Sequence, residues 1–270
     1  MKAPVAGAPH LADAIEAAAS RDMYAAAPPE LGFHTETVAG ATLLLAPRFP
    51  VTYFNRAIGL GMERAATESD LDALIAVYRA AGVKDYWVHL SPGAAPAALG
   101  DWLRSRGLEL PARRSWAKFL RGPEPAQARA SALCIRPAAR ADAPGVAQTV
   151  CQAYGLPPAL GPWFEALLGR PGWQVYVATA HERIVATGSV YIRGREAWLG
   201  IGATLAEYRG RGAQSALLAE RIRFALASGC ALLATETGEA IGDEPNTSLE
   251  NIRRCGFTQV CSRLNFAARR

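Results

Sequence analysis

Thr204-Leu205-Ala206-Glu207-Tyr208-Arg209-Gly210-Arg211-Gly212-Ala213-Gln214-Ser215 joins an apolar run, 197–205, to a segment of different periodicity. In that next segment Leu218, Ile222, Ala225 and Leu226 share one helical face, while Glu220 and Arg223 lie off it. The passage therefore reads strand, glycine turn, helix. Gly210 and Gly212 let the backbone turn tightly and come close to a ligand. The first N–H groups of a helix have no partner within it. Together with the helix dipole they form a site for phosphate oxygens, and Arg209 and Arg211 add positive charge beside it. A phosphate or pyrophosphate ligand is expected there.

A P-loop needs Gly-Lys followed by Ser or Thr, which is absent. A dinucleotide fingerprint needs a third glycine, where this chain has Ser215, although Glu236 could imitate its acidic residue. That coincidence of Gly210, Gly212 and Glu236 is the whole basis for an NAD-type dehydrogenase. Upstream, strands at 172–179 and 184–192 flank the turn Ala180-His181-Glu182-Arg183 as a hairpin. With 197–205 they make an antiparallel meander, which does not suit a doubly wound sheet.

Farther out, a strand at 132–136 and helices at 142–154 and 160–169 precede the hairpin, with Asp142 as a cap. A helix at 212–228, a strand at 231–236, a helix at 246–255 and a strand from Phe257 complete the order βααβββαβαβ. The first half offers a helix at 10–27, strands at 41–46 and 51–54, and a helix from Thr67-Glu68-Ser69-Asp70 to Gly82. A strand at 86–90, a helix at 96–106 and a strand at 115–120 follow. Both halves end helix, glycine, strand, at Gly107 and Gly256, which points to a duplicated fold. The polar, proline-containing stretch 121–131 marks the boundary, giving domains 1–125 and 130–270. The expected class is α/β (α+β): two halves, each a mixed, mostly antiparallel sheet flanked by helices.

The 270 residues, half of them hydrophobic, suffice for two ordinary cores. The net charge is +5, but Lys2, Lys84 and Lys118 are the only lysines and no basic run of the nucleic-acid type occurs. The five cysteines, at 134, 151, 230, 255 and 261, form no CxxC pair, so free thiols are expected rather than a disulfide framework or a metal site. The N-terminal stretch lacks a signal-peptide core, and no apolar stretch reaches membrane-spanning length. A soluble, cytoplasmic protein with no nucleic-acid or membrane partner is expected. A homodimer is left open.

The loop resembles the acetyl-CoA-binding segment of the GCN5-related N-acetyltransferase family, Arg/Gln-x-x-Gly-x-Gly/Ala. Arg209 and Gly212 match, and Gln214 departs at the last position. Asn246-Thr247-Ser248-Leu249-Glu250-Asn251-Ile252-Arg253-Arg254-Cys255-Gly256-Phe257 resembles the family's Asn-led helix ending in Gly-Phe. The resemblance covers about 132–267, and the first half is similar to the degenerate N-terminal half of tandem acetyltransferases. It implies acetyl-CoA as cosubstrate. Backbone groups of Ala203, Thr204 and Leu205 would pair with the pantetheine arm, and N–H groups from Arg211 through Gly212, Ala213 and Gln214 to Ser215 would hold the pyrophosphate. Asn246 and Asn251 would approach the cofactor, although Asn246 could equally cap its helix.

Acetyl transfer to an amine needs a base, proximity, oxyanion donors and a proton for the departing thiolate. The family often supplies that proton from a tyrosine where this chain has Ile252; Ser248, Cys255 or solvent could replace it. Glu236 is the candidate base. Asp243 and Glu244 could attract a cationic amine. Tyr154, Trp163 and Phe164 lie where the family borders its acceptor site, and His89, inside an apolar strand, reads as a satisfied core residue. In the first half, Tyr53-Phe54-Asn55-Arg56 is the segment to watch; that half is expected to bind no cofactor and to shape one wall of the cleft. The acceptor amine could be a small molecule or a peptide N-terminus. The missing phenol at 252 also admits a second class, a non-catalytic acetyl-CoA or nucleotide sensor.

Overall fold

The computed structural model describes residues 7–111, 115–127, 130–240, 242 and 246–268. The first half runs α1 (Ala8–Ala25), β1 (His34–Val38), β2 (Ala41–Leu45), β3 (Arg56–Ile58), α2 (Glu68–Ala80), β4 (Trp87–Leu90), α3 (Leu99–Ser105), β5 (Leu108–Glu109) and β6 (Ser115–Arg121). The second runs β7 (Cys134–Pro137), α4 (Ala143–Tyr154), α5 (Gly161–Glu165), β8 (Trp173–Ala180), β9 (Arg183–Arg193), β10 (Glu196–Thr204), α6 (Ala213–Ala227), β11 (Leu232–Gly238), α7 (Thr247–Arg254) and β12 (Thr258–Ala268). The order βααβββαβαβ read from the sequence is the order observed.

Local chemistry sets the ends. Thr67 accepts the Asp70 N–H while Asp70 accepts the Thr67 N–H, a capping box that starts α2. Gly155 closes α4 in the left-handed conformation. Two local expectations need correction, and one strand was not expected. Asp142 does not cap α4, because its carboxylate is taken by Arg136 and by the Ala139 N–H, at 2.6 and 2.7 Å. The strand expected at 51–54 is a single 3-10 turn. Asn55 ties that loop together, accepting the Ala46 N–H and donating to the carbonyls of Phe49 and Val51, so the strand begins only at Arg56. Finally, β1 has no apolar alternation to betray it, since His34-Thr35-Glu36-Thr37-Val38 is an edge strand with no buried residue.

A 12-stranded sheet spans both halves in the order β1-β2-β3-β4-β12-β6-β11-β10-β9-β8-β7, with β5 beside β12. The two halves mirror each other about the central antiparallel pair β6–β12. From each edge an antiparallel run leads to a parallel pair, β3–β4 in one half and β10–β11 in the other. Next comes the other half's last strand: β12 lies against β4, and β6 against β11. The expected boundary thus falls in the β6–β7 connection while the hydrogen-bonded sheet continues across it.

The exchange has an energetic consequence. Phe266 belongs to β12 but packs, fully buried, in the first-half cluster of Leu43, Leu71, Leu74, Tyr78 and Val88. Phe266→Ala is expected to cost about 3–5 kcal/mol. Urea unfolding measures the loss, and hydrogen exchange should accelerate in β4 and α3, far away in sequence. Acceleration confined to residues after 130 would contradict the exchanged arrangement.

α1 straps the halves together. Trp163 Nε1 donates to the Met23 carbonyl at 2.7 Å, and Asp22 takes Arg170 and Trp173 Nε1, at 2.6 and 2.7 Å. Trp163 is packed edge-on against Tyr24, Phe33 and Phe54, so the core on this side belongs to both halves.

Candidate active site

β10 and β11 pair in parallel over only three residues, ending at Trp198↔Ala234. Beyond that point each strand keeps its outer neighbour and the two part. The pairing of β10 with β9 is also broken between Gly200 and Ala203, where Ile201 has φ +51°. The sheet therefore opens, and its carbonyls are met by side chains instead. Thr235 Oγ1 donates to Leu199 O at 2.7 Å, Arg221 Nη1 to Gly200 O at 3.1 Å and Tyr154 Oη to Gly202 O at 2.8 Å.

Arg221 is buried on α6, and its guanidinium is held by the carbonyls of Leu217, Ser189 and Gly200. A Cβ on Gly188 would sit 2.7 Å from its Cζ, so only glycine leaves room for it. No carboxylate is among its partners in the described residues, and burial pushes its pKa down to about 10.

The opening faces the N-terminus of α6. Gly212 precedes the helix in the left-handed conformation and supplies no side-chain cap. The first intrahelical bond is Ala216 N–H to Gly212 O, which leaves the N–H groups of Ala213, Gln214 and Ser215 without helical acceptors. The two glycines do different work. A Cβ on Gly212 would lie 2.7 Å from Ala130 O, so its bareness admits the segment that connects the halves. A Cβ on Gly210 would meet nothing within 4 Å among the described residues, so of the two it is the glycine that lies open.

A cavity of about 1470 Å³ joins these parts, and most of the sequence-derived residues line it: Ala203, Thr204, Arg209, Gly210, Gly212, Ala213, Gln214, Ser215, Asn251 and Glu236. Three others stand off the wall. Leu205 is buried and its N–H goes to Val185 O. The Arg211 guanidinium stacks on Tyr208, 4.9 Å from the ring centroid. Asn246 caps α7, accepting the Leu249 N–H at 3.0 Å and donating to Gly238 O. Gln214, the departure from the family pattern, joins a latch between α6 and α7: Gln214 donates to Ser248 at 3.0 Å, Asn251 to Gln214 at 2.9 Å and Ser215 to Asn251 at 3.0 Å. Cys255 is buried behind them and Ile252 is 3% exposed on the cavity wall. Asp243 and Glu244 lie outside the described residues.

Glu236 sits two residues past the end of the β10–β11 pairing. It accepts Trp198 Nε1 at 3.0 Å and Lys118 Nζ at 2.9 Å. Trp198 reaches it only because residue 200 is glycine, where a Cβ would fall 1.8 Å from the indole. Behind Glu236 runs a buried charge network that the sequence did not disclose. Lys118 Nζ meets Glu16 at 2.6 Å, Glu16 meets Arg56 at 2.7 Å and also Arg263, and Arg263 meets Asp13 at 2.8 Å. His89 lies nearby with Nδ1 2.7 Å from Asn265 Oδ1. Its Nε2 is buried without a partner among the described residues, which corrects the expectation of a fully satisfied histidine. Desolvation, assisted by Arg263 and Arg56, holds its pKa well below the usual value.

Burial alone would raise the Glu16 carboxyl, but Arg263, Lys118 and Arg56 outweigh it and hold the pKa well below the usual glutamate value. A carboxylate depressed in the folded state adds stability above the unfolded pKa of about 4.3 and loses it as pH falls through the folded pKa. His89 acts in the same direction, since the unfolded chain takes up its proton below about pH 6.5. Stability should therefore decline as pH falls from 7 toward 4. Glu16→Gln should cost about 3–5 kcal/mol at pH 7, because three buried cations lose their shared anion. Urea midpoints at pH 7 and 4.5 check both; a change under about 1 kcal/mol would dispose of the network's structural role.

Beyond the charge network the cavity wall comes from the first half. Tyr53, Phe54 and Arg56 line it, with Trp87 and Trp116. From the second half come Tyr154, 46% exposed, and the buried pair Trp163 and Phe164. Tyr154 and the first-half wall are residues that sequence could place only by region, because the sheet has to fold before they meet.

A mostly antiparallel sheet that opens beside a glycine turn and a helix N-terminus is the architecture of the GCN5-related N-acetyltransferases, and the chain has that fold. No protein-family model and no curated protein matches the sequence. Solved structures do match. A GCN5-related N-acetyltransferase from Kribbella flavida superposes with a TM-score of 0.65 at 15% identity, covering 95% of each chain. One from Sphaerobacter thermophilus gives 0.62 at 15% identity, covering 84% of this chain and 79% of the other. A tandem GNAT protein from the clavulanic acid biosynthesis pathway, solved without AcCoA, gives 0.61 at 14% identity, over 86% and 78%. The likeness along nearly the whole chain takes in the first half, as the mirrored sheet requires.

Proposed function

We propose that the chain is a cytoplasmic, acetyl-CoA-dependent N-acetyltransferase that acetylates a primary amine. The observation that carries this reading is the meeting, on one cavity, of an uncapped helix N-terminus with a sheet edge freed by the parting of β10 and β11. The N–H groups from Gly212 to Ser215 suit a pyrophosphate, with Arg209 beside them. The freed edge of β10 near Ala203 and Thr204 suits the amide-bearing pantetheine arm, which would add as a strand does. Acetyl-CoA would supply the thioester. The first half, 1–125, holds no cofactor in this reading and walls the acceptor side.

Glu236 takes the role of base, accepting a proton from the attacking amine. A C–N bond forms at the acetyl carbon, the C–S bond breaks, and the sulfur leaves as thiolate. Arg221, a buried cation with no carboxylate beside it among the described residues, favours negative charge at that end of the cleft. The Tyr154 hydroxyl, which donates to Gly202 O at the opening, can return a proton to the sulfur in place of the one missing at Ile252.

A sensor that binds acetyl-CoA without turning it over is the rival, favoured by the buried aliphatic Ile252. Thiol release from acetyl-CoA, followed with and without a panel of amines, separates the two. Release that depends on an added amine supports the transferase. Binding with no amine-dependent release across the panel supports the sensor.

A further inference from the structure

The cavity is larger than the roughly 300–1,000 Å³ that a single small-molecule site occupies. Its α6–β10–α7 end accounts for the acetyl-CoA reading. The other end is walled by Tyr53, Phe54, Trp87, Leu110, Pro111 and Trp116 of the first half. Trp87 and Trp116 meet edge to face, with centroids 5.7 Å apart and planes at 84°. Tyr53, Trp87 and Trp116 are only half-buried, so their remaining ring surface belongs to the cavity. Arg56 and Arg263 lie over the Trp116 ring, so it is the half-exposed faces and edges of Trp87 and Tyr53 that offer a surface to a flat apolar guest.

The same wall carries an ordered pair of charges. Arg56 is 9% exposed, and its Cζ lies 5.1 Å from the Trp116 centroid. Its Nη1 is engaged by Glu16, while its Nε is buried with no partner among the described residues. At the other end of a relay stands Glu236. Arg56 to Glu16, Glu16 to Lys118 and Lys118 to Glu236 are contacts of 2.7, 2.6 and 2.9 Å, so guanidinium and carboxylate are fixed relative to each other. Of this network Arg56 and Glu236 line the cavity, so the wall shows a positive end and a negative end. A zwitterion complements such a wall. A polyamine would bring only cations to it.

We infer, resting on the acetyltransferase reading, that the acceptor is an aromatic amino acid, or a close derivative with a free α-amine and α-carboxylate. The amine lies at the Glu236 end, the carboxylate meets the part of the Arg56 guanidinium that Glu16 leaves free, and the ring lies against Trp87 and Tyr53. The amine nitrogen bonds to the acetyl carbon, the thioester C–S bond breaks, and the displaced proton passes to Glu236.

The test is a comparison of kcat/KM by thiol release from acetyl-CoA. Phenylalanine, tyrosine and tryptophan are set against phenethylamine, tyramine and tryptamine, and against alanine, spermidine and an alanine-led tripeptide. Each aromatic amino acid should exceed its decarboxylated partner by at least about tenfold, the least that a charge-assisted hydrogen bond is worth, and should exceed alanine by more. Arg56→Gln should erase the advantage over the decarboxylated amine. Trp87→Leu lies outside the charge network and should keep acetyl-CoA binding while erasing the advantage over alanine. Preference for the decarboxylated amines, spermidine or the peptide would overturn the inference. The unfolding midpoint with acetyl-CoA is read in the same samples. A midpoint that rises while no aromatic amino acid is acetylated sinks this inference alone; a midpoint that does not move sinks the acetyltransferase reading beneath it.

Discussion

Gly210→Asp is expected to weaken acetyl-CoA binding about 100-fold or more while leaving the fold intact. Gly210 lies in open space with φ +76°, a conformation that Asp and Asn tolerate better than other side chains. The substitution therefore adds a carboxylate beside the α6 N-terminus without a clash. Two unit charges about 4 Å apart repel by about 4 kcal/mol at a protein surface, and screening by salt leaves part of that. Gly210→Asn has nearly the same shape and no charge, and should lose only a few-fold. Gly212 is the poorer probe, because any side chain there meets Ala130 O before it meets a ligand. Titration calorimetry with acetyl-CoA reads both variants. Equal losses for Asp and Asn would show that the loop matters by shape alone, and no loss for either would remove the phosphate from this helix end.

Glu236→Gln is expected to lower kcat/KM by about 10²–10⁴, the range a positioned base contributes, with acetyl-CoA affinity unchanged. The amide keeps an acceptor for Trp198 Nε1, and Lys118 keeps Glu16, so the fold survives. A merely structural Glu236 would shift the unfolding midpoint and leave the rate within a few-fold. Retention of the rate would move the proton to solvent.

The second half was legible because each of its signals is local. Glycines at 155, 229 and 256 close helices, the hairpin turns at 180–183, and the α6 periodicity follows directly on the glycine loop. The exchange of β6 and β12 was not legible, because a strand's side-chain pattern states which faces are buried but not which neighbour it pairs with. β12 was further disguised by Arg263 and Asn265, polar residues that are fully buried only because Asp13, Glu16 and His89 come to meet them from the first half. Asp13 and Glu16 stand among alanines on the helix read at 10–27, with nothing beside them in the sequence to mark them, yet they anchor the network that ends at Glu236. At the site, sequence could mark the loop, Asn251 and Glu236. It offered the cap that Asn246 makes as one of two roles, but could not foresee that Arg211 stacks on Tyr208 or that Arg221 fills the gap in β10, since each depends on distances set by the folded sheet.

The most direct measurement is the thermal unfolding midpoint of the purified chain with acetyl-CoA, NADH and ATP in parallel. A ligand at 100 times its dissociation constant stabilises by about 2.7 kcal/mol. The midpoint should rise with acetyl-CoA, stay put with NADH and ATP, and fail to rise in Gly210→Asp. No rise with acetyl-CoA, or a rise with NADH alone, would contradict the assignment of this cavity to acetyl transfer.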